Sequence, residues 1–569
     1  MIATEAMTSP KSMVFPAPPD FPVIWENPDD GHLLWRKSQH HYARQLKPLE
    51  GDFLSLWEAE GHNQAAEVYE RLPRNRVRHI NTYIYNAEVS AVPPDKMQAQ
   101  AIRAQEKLNA AIARLDELWY REWLPEIKAH LAYWDAFDLP NAAMPELLVH
   151  LNETLERMVR LKVVHWLAIS PAYLAISQFV DLYHDLFGAE NPLAAYKLLQ
   201  GFDNKVLESG RALWALSCQA LTSPEVCRIL KSDAAAEVPA ALAASPAGQT
   251  FLAELRAYLE AYGQRSNDWG GLADPAWIEE PTPVIKILKD YLDPSDRDPN
   301  AELAVLSAER EQAVTVARNR LKGYPQPVVA RFEALLKAAQ MGMVISEDHT
   351  FWIDFIPIYK MRRVLLEFGR RFAQAGVIDT PEDIFYLKIE ELRQTATALP
   401  YLGRRSLVVE RQAEMERFQA VNPPLTLGRE AEPPPTGTND PLDAVWGKMF
   451  VVPAQPEDEP HLLRGNAGSP GKVRGPAKIL HSITEAAKLK AGDILVAEMT
   501  APPWTPLFAT AAAVVTDTGG ALSHCAVVAR EYRIPAVVGT SKATSLIRDG
   551  QLLEVDGDAG IVRIISKEY

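Results

Sequence analysis

The sequence predicts a multidomain chain, with a large, mainly α-helical part followed by a small α/β domain at its C-terminal end. Three observations carry that expectation. From Trp25 to about Pro400 apolar residues return every three or four positions, as on one face of a helix. Residues 422–463 are dense in proline and acids and have little periodicity, the texture of a linker that stiffens where prolines cluster. Beyond them, short apolar runs bounded by glycine and charge alternate with helical stretches. The expected divisions are an irregular arm over 1–24, a helical domain over 25–421, a linker over 422–463 and a compact α/β domain over 464–569.

Taken in order, the arm is rich in proline and small residues. Helical spacing is clearest in 107–134, 144–169, 318–340 and 359–376, with Pro325 and Pro327 expected to interrupt the third of these. Strand-like alternation is scarce before residue 400. The Ala-rich 232–248 reads as a loop or a frayed helix. Gly376 sits where a helix C-terminus needs a left-handed residue, and Thr380-Pro-Glu-Asp has a capping hydroxyl, a first-turn proline and first-turn acids. In the last domain the strand candidates are 493–499, 512–517, 534–539, 552–557 and 560–565, with helical stretches at 482–490 and 523–532.

Composition bounds the function. The chain has 569 residues, is 47% hydrophobic and 23% charged, and can bury sizeable cores. A formal net charge of -15 argues against nucleic acid as the main partner, because phosphate backbones need clustered Lys and Arg. Three cysteines without a C-x-x-C pair support neither a disulfide framework nor a structural zinc site, and no other metal site is evident. No basic segment followed by an apolar one opens the chain, and no run of about 18 uncharged apolar residues stands out. A cytoplasmic protein, with no membrane partner, is the expectation.

The stretch that carries chemistry runs from Thr516 through Gly519, Gly520 and Ser523 to His524, then on to Arg530 and an IPAVVG strand. A strand ending near Asp517, a glycine turn and a Ser523 cap place His524 in the first turn of a helix. There, free N–H groups and the positive end of the dipole favour an anion. The two glycines let a phosphate approach closely. A neutral imidazole is nucleophilic near pH 7, and its phosphoramidate is a high-energy donor. The bland reading is a histidine that only caps or packs. Cys525 is read as packing, since adjacent helical residues point about 100° apart. Gly465–Lys472 lacks the spacing of a P-loop.

The whole of 464–569 resembles the swivelling phosphohistidine domain of the phosphoenolpyruvate-utilising dikinases, a family that includes rifampicin phosphotransferase. The match rests on the His524 run, on 465–480, on 493–508 and on the closing 555–562. The resemblance implies that His524 carries a phosphoryl group on a mobile domain. The regulatory threonine of plant pyruvate phosphate dikinases falls on Leu522 here, so control by that route is not expected. In layout the chain resembles rifampicin phosphotransferase without its ATP-grasp domain, and the catalytic subunit of phenylphosphate synthase. The stretches 262–283, 347–354 and 381–393 resemble the acceptor domain of this group. Residues 25–400 lack the strand–helix alternation of a TIM barrel and the glycine-loop strands of an ATP-grasp fold. ATP and Mg²⁺ are therefore expected to act through a separate ATP-grasp partner.

An acceptor hydroxyl must be oriented, deprotonated and held in line with phosphorus. His349, in the cluster Glu347-Asp348-His349, is the leading candidate base, with Asp354 as an alternative base or as its orienter; the bland reading is acids at a helix start. Arg265, Lys360, Arg362 and Arg363, together with Thr516, Gly519, Gly520, Ser523 and Arg530, are the candidate phosphate-binding residues. Trp269, Trp277 and Trp352 flank the polar blocks and are candidates to line an apolar pocket. The expected activity is transfer from phospho-His524 to a small organic hydroxyl, such as a phenol or a hindered alcohol. A non-enzymatic phosphocarrier and a self-sufficient dikinase are the rivals.

Overall fold

The computed structural model describes residues 14–565 apart from 40, 233, 293–297, 430–439, 451–452, 454–458 and 460. Residues 1–13 of the expected arm, and much of the expected linker, lie outside the described residues. The chain folds as two compact units. One comprises Met1–Lys107, Ala132–Leu167 and Lys360–Pro441; the other comprises Leu108–Leu131, Ala168–Tyr359 and Leu442–Tyr569.

The first unit holds a five-stranded antiparallel sheet in the order β1-β5-β2-β4-β3, from Val14–Phe15, Leu34–Lys37, Pro73–Ile80, Tyr83–Ser90 and Thr426–Arg429. Helix α1 (Pro48–Val68) packs on β3. Phe21, Trp35, Tyr85, Phe418 and Leu427 form the core under the sheet. The expected arm and linker are thus partly strand, because Val14 and Phe15 pair with Arg429 and Gly428. Strands this short show no alternation in sequence, so only their partners make them strands. The β3–β4 hairpin, which lies inside the region expected to be helical, was not foreseen; its strands meet at Asn81-Thr82, both with positive φ (46° and 73°).

Helix α2 (Met144–Phe187) runs through both units. It is long and apolar enough to cross a membrane (mean hydropathy 1.4 over its most apolar window), but 83% of that window is buried inside the protein, as in a core helix.

The second unit contains α3 (Lys205–Leu221), α4 (Gln326–His349), α5 (Asp443–Phe450) and α6 (His524–Glu531). The expected break near Pro325 is present: one helix ends at Arg320 and α4 begins at Gln326. A π-helical turn, Thr350–Phe355, follows α4. Gly376, in the other unit, has φ +71° at a helix end, as its position predicted. The Ala-rich 232–248 is more ordered than expected, with a helix over Val238–Ala243 and another starting at Pro246 behind a Ser245 cap.

The last part of the second unit is an eight-stranded mixed sheet, β6-β13-β12-β8-β9-β10-β11-β7. Its strands are β6 (Leu462–Arg464), β7 (Asn466–Ser469), β8 (Lys472–Ile479), β9 (Ile494–Ala497), β10 (Ala513–Thr516), β11 (Ala536–Val538), β12 (Leu552–Asp556) and β13 (Ile561–Ile564). The five apolar runs predicted as strands are β9 to β13. Strands β9, β10 and β11 are parallel and wholly buried, which explains their unbroken apolar sequences. One apolar core runs from the helices (Leu213, Leu255, Trp277, Ile285) into this domain (Leu507, Phe508, Ala526, Val538). The domain therefore lies seated on the helices of its unit.

Candidate active site

Strand β10 delivers the loop before α6. Thr516 is buried and its hydroxyl donates to the Thr518 carbonyl (2.8 Å). Asp517 accepts the Thr544 backbone N–H (3.0 Å), so the loop is tied to the segment after β11. Gly519 has φ +109°, and its carbonyl accepts from Asn466 Nδ2 (3.0 Å). Ser523 caps α6, its hydroxyl accepting from Ala526 N–H (3.4 Å). His524 is therefore the first residue of the helix, where the dipole is most positive.

The imidazole has two hydrogen-bond partners of unlike character. Nδ1 lies 3.0 Å from Glu347 Oε2, at the end of α4. Nε2 lies 3.4 Å from the Thr505 hydroxyl, in the 3₁₀ turn Pro502–Ala509. A carboxylate can only accept, so Nδ1 carries a proton in this contact, and in the neutral imidazole Nε2 is then the nitrogen with the lone pair. The Glu347 side chain is 5% exposed and that of His524 17%, so the pair is shielded while the imidazole keeps an opening.

Around Glu347 the helices place further titratable groups. Asp348 Oδ1 accepts the Lys205 backbone N–H at the start of α3 (2.7 Å). Burial pushes its carboxyl up to about 6, with Lys205 opposing and Glu347 adding. His349 donates from Nδ1 to the Ile345 carbonyl (2.8 Å), which leaves Nε2 as the acceptor. That Nε2 lies 3.4 Å from the Thr350 hydroxyl and 3.7 Å from Asp354 Oδ2. Trp352 and Asp354 lie in the π-turn, and such turns are frequent at functional sites. Lys128 and Lys205 ammonium groups stand 5.2 and 5.8 Å from the Trp352 ring, and Trp269 meets Phe355 edge-on at 6.0 Å.

The structure thus gathers Thr516, Gly519, Gly520 and Ser523 in the His524 loop, and sets Glu347 against the imidazole. It places other candidates elsewhere. Arg530 is buried at the far end of α6; its guanidinium donates to the Gly468 and Ala521 carbonyls and stacks over Tyr196 at 4.4 Å. These contacts lie within its unit, and its Nη2 is buried without a hydrogen-bond partner. Arg265 is 2% exposed, stacked at 4.0 Å over Trp277, itself fully buried with its Nε1–H donated to Asn267. These two are core, not pocket lining. Lys360, Arg362 and Arg363 belong to the other unit. There Lys360 pairs with Asp135 (2.5 Å), Arg362 is buried over Phe385 (5.3 Å) and Arg363 is exposed. Cys525 is buried, and burial pushes its thiol up to about 12. Glu347 is the residue that sequence reasoning passed over for its neighbour His349; nothing in the local pattern says which member of an acidic cluster will meet a distant histidine.

Comparison with known proteins fits this geometry. Residues 489–560 match the family "PEP-utilising enzyme, mobile domain", and residues 165–347 match "Rifampicin phosphotransferase fourth domain". Chondramide synthase cmdD of Chondromyces crocatus is 40% identical over 559 residues, 97% of this chain and 14% of that protein. The uncharacterized phosphotransferase YvkC of Bacillus subtilis is 30% identical over 404 residues, 71% of this chain and 47% of that protein. A rifampicin phosphotransferase of Streptomyces sviceus is 32% identical over 375 residues, 64% of this chain and 40% of that protein. The chain spans less than half the length of each of these relatives. The hydrogen bond between His524 and Glu347 joins the two matched regions.

Proposed function

We propose that this chain, which carries a PEP-utilising mobile domain and a rifampicin phosphotransferase fourth domain, is a phosphotransferase component that passes a phosphoryl group from phospho-His524 to a small organic hydroxyl. The observation that supports it most is the 3.0 Å contact of His524 Nδ1 with Glu347. With Nδ1 protonated, phosphorus is carried on Nε2. The acceptor oxygen attacks phosphorus, the P–Nε2 bond breaks, and its electron pair returns to Nε2. The imidazole then leaves neutral, with Nδ1–H still donated to Glu347, instead of as a costly anion. The proposed base is His349, whose Nε2 carries the lone pair in the neutral ring, with Asp354 at 3.7 Å to stabilise the imidazolium formed. Trp352 and Trp269 are the proposed walls for a flat or bulky alcohol or phenol.

The phosphoryl group is proposed to come from ATP with Mg²⁺, through a separate ATP-grasp partner in the cytoplasm, with the mobile domain travelling between the two stations. The test is labelling of the purified chain with radioactive ATP, with and without a candidate ATP-grasp protein, followed by a panel of phenols and alcohols. Acid-labile label on His524 is expected only with the partner, and an acid-stable phosphate ester only with both partner and acceptor. Rapid labelling by ATP alone would remove the partner from the scheme. Ester formation by His524→Ala would overturn the central role of the histidine.

A further inference from the structure

Helix α5 arises from sequence that reads as linker, yet it is built into its unit. Leu442 and Val445 are fully buried, and Met449 nearly so. Its last turn is fixed from two sides. Lys448 Nζ donates to the Ser177 hydroxyl (2.8 Å) and to Asp181 Oδ1 (2.6 Å), both on α2. The backbone of the same residue presses on the His524 loop: a Cβ at Gly520 would stand 2.0 Å from the Lys448 carbonyl oxygen. Half a turn earlier, Trp446 meets Tyr173 of α2 at 6.4 Å. Burial pushes the Tyr173 hydroxyl up, and Glu347 and Asp354 add to this, so its surroundings include the acids beside His524.

Gly520 therefore has a second reason to be glycine, apart from any phosphate. A side chain there collides with backbone, which cannot rotate away. The contact also has a direction. The carbonyl that touches Gly520 is held in place by the ammonium group of its own residue on α2. A tether needs only length; a helix pinned at Ser177 and Asp181 and seated on the loop four residues before the histidine fixes a distance.

We propose that α5 is a positioning strap, in which Lys448, anchored on α2, sets the height of the Gly519–His524 loop so that Nδ1 meets Glu347 at the acceptor station. Its purpose rests on the transfer reading above; its test does not. In-line transfer is intolerant of misplacement, with about 1 Å costing on the order of a hundredfold in rate.

The first measurement is hydrogen–deuterium exchange on the purified chain. Lys448→Met and Asp181→Asn should speed exchange of the 518–523 amides about fivefold, the scale of one half-exposed charged hydrogen-bonded pair. Exchange across the rest of 489–560 should stay unchanged, and Lys448→Arg should restore protection. Wild-type exchange in both variants overturns the strap, and so does acceleration spread evenly over the domain, which would mark a folding role only. The second measurement charges His524 with inorganic phosphoramidate and follows phenol-dependent discharge. Lys448→Met should charge at the wild-type rate and discharge about tenfold more slowly. If the wild type shows no phenol-dependent discharge while the exchange result holds, the acceptor reading fails and the strap stands.

Discussion

Replacing Glu347 tests the chemistry most directly. Its carboxylate makes a charge-assisted hydrogen bond of 3.0 Å to His524 Nδ1, in a site where the side chains are 5% and 17% exposed. Hydrogen bonds to charged groups contribute about 1.5–3 kcal/mol. At about 1.4 kcal/mol per tenfold in rate, losing the bond in the transition state should slow discharge by roughly 10- to 150-fold. Glu347→Ala should lie near the upper end. Glu347→Gln should lie near the lower end, because its amide oxygen can still accept from Nδ1–H without the charge. Neither change leaves a buried charge unpaired, since the histidine partner can be neutral, so both variants should fold. The assay charges His524 with phosphoramidate, removes the reagent, and follows loss of acid-labile phosphate by rapid quench with and without phenol. Discharge within about twofold of wild type in both variants would refute the claim that Glu347 sets the leaving group.

Other outcomes follow from the same geometry. The Asp348 carboxyl is raised from 3.8 to about 6 by burial, so the folded state binds the proton more tightly than the unfolded state and this group's contribution to stability falls as pH rises from about 4 through 6. Asp348→Asn should remove that decline, and its melting temperature relative to wild type should be higher at pH 7 than at pH 4.5; an equal difference at both pH values would refute it. Gly519→Ala should lower His524 labelling by phosphoramidate, because φ is +109° and the added Cβ would stand 2.9 Å from the Ser523 hydroxyl. Arg265→Lys should lower the melting temperature through loss of stacking on Trp277, yet leave discharge per folded molecule within about twofold. Native protein treated with iodoacetamide at pH 8 should keep Cys525 unmodified in peptide mass spectra, because its thiol is buried and pushed up to about 12.

The C-terminal domain was legible because its signals are local. Three parallel strands buried on both faces read as unbroken apolar runs, and Ser523, Gly519 and Gly520 mark a strand–turn–helix junction within nine residues. The long amphipathic helices were legible for the same reason. What escaped was set by partners far away in sequence. Strand β1 is a strand only because Val14 and Phe15 find β5 some 400 residues on. Helix α5 hides in proline-rich sequence, and its meaning lies in Ser177, Asp181 and Gly520. The charge of Arg265 and Arg530 is visible in sequence and their burial is not. The same blindness put His349 ahead of Glu347.

The contact with Glu347 also bears on where the phosphoryl group becomes labile. Nδ1 of a phosphoimidazole can be neutral or protonated, and the protonated form is the better donor because its leaving group is neutral imidazole. A shielded carboxylate gives the proton on Nδ1 an acceptor in a fixed place; in open water that contact is absent. A carrier that met such a carboxylate all along its route would leak phosphate to water. One that meets it only when seated on α4 is stable in transit and reactive on arrival. On the proposed reading, Glu347 therefore belongs on the helical side of the site and not in the mobile domain.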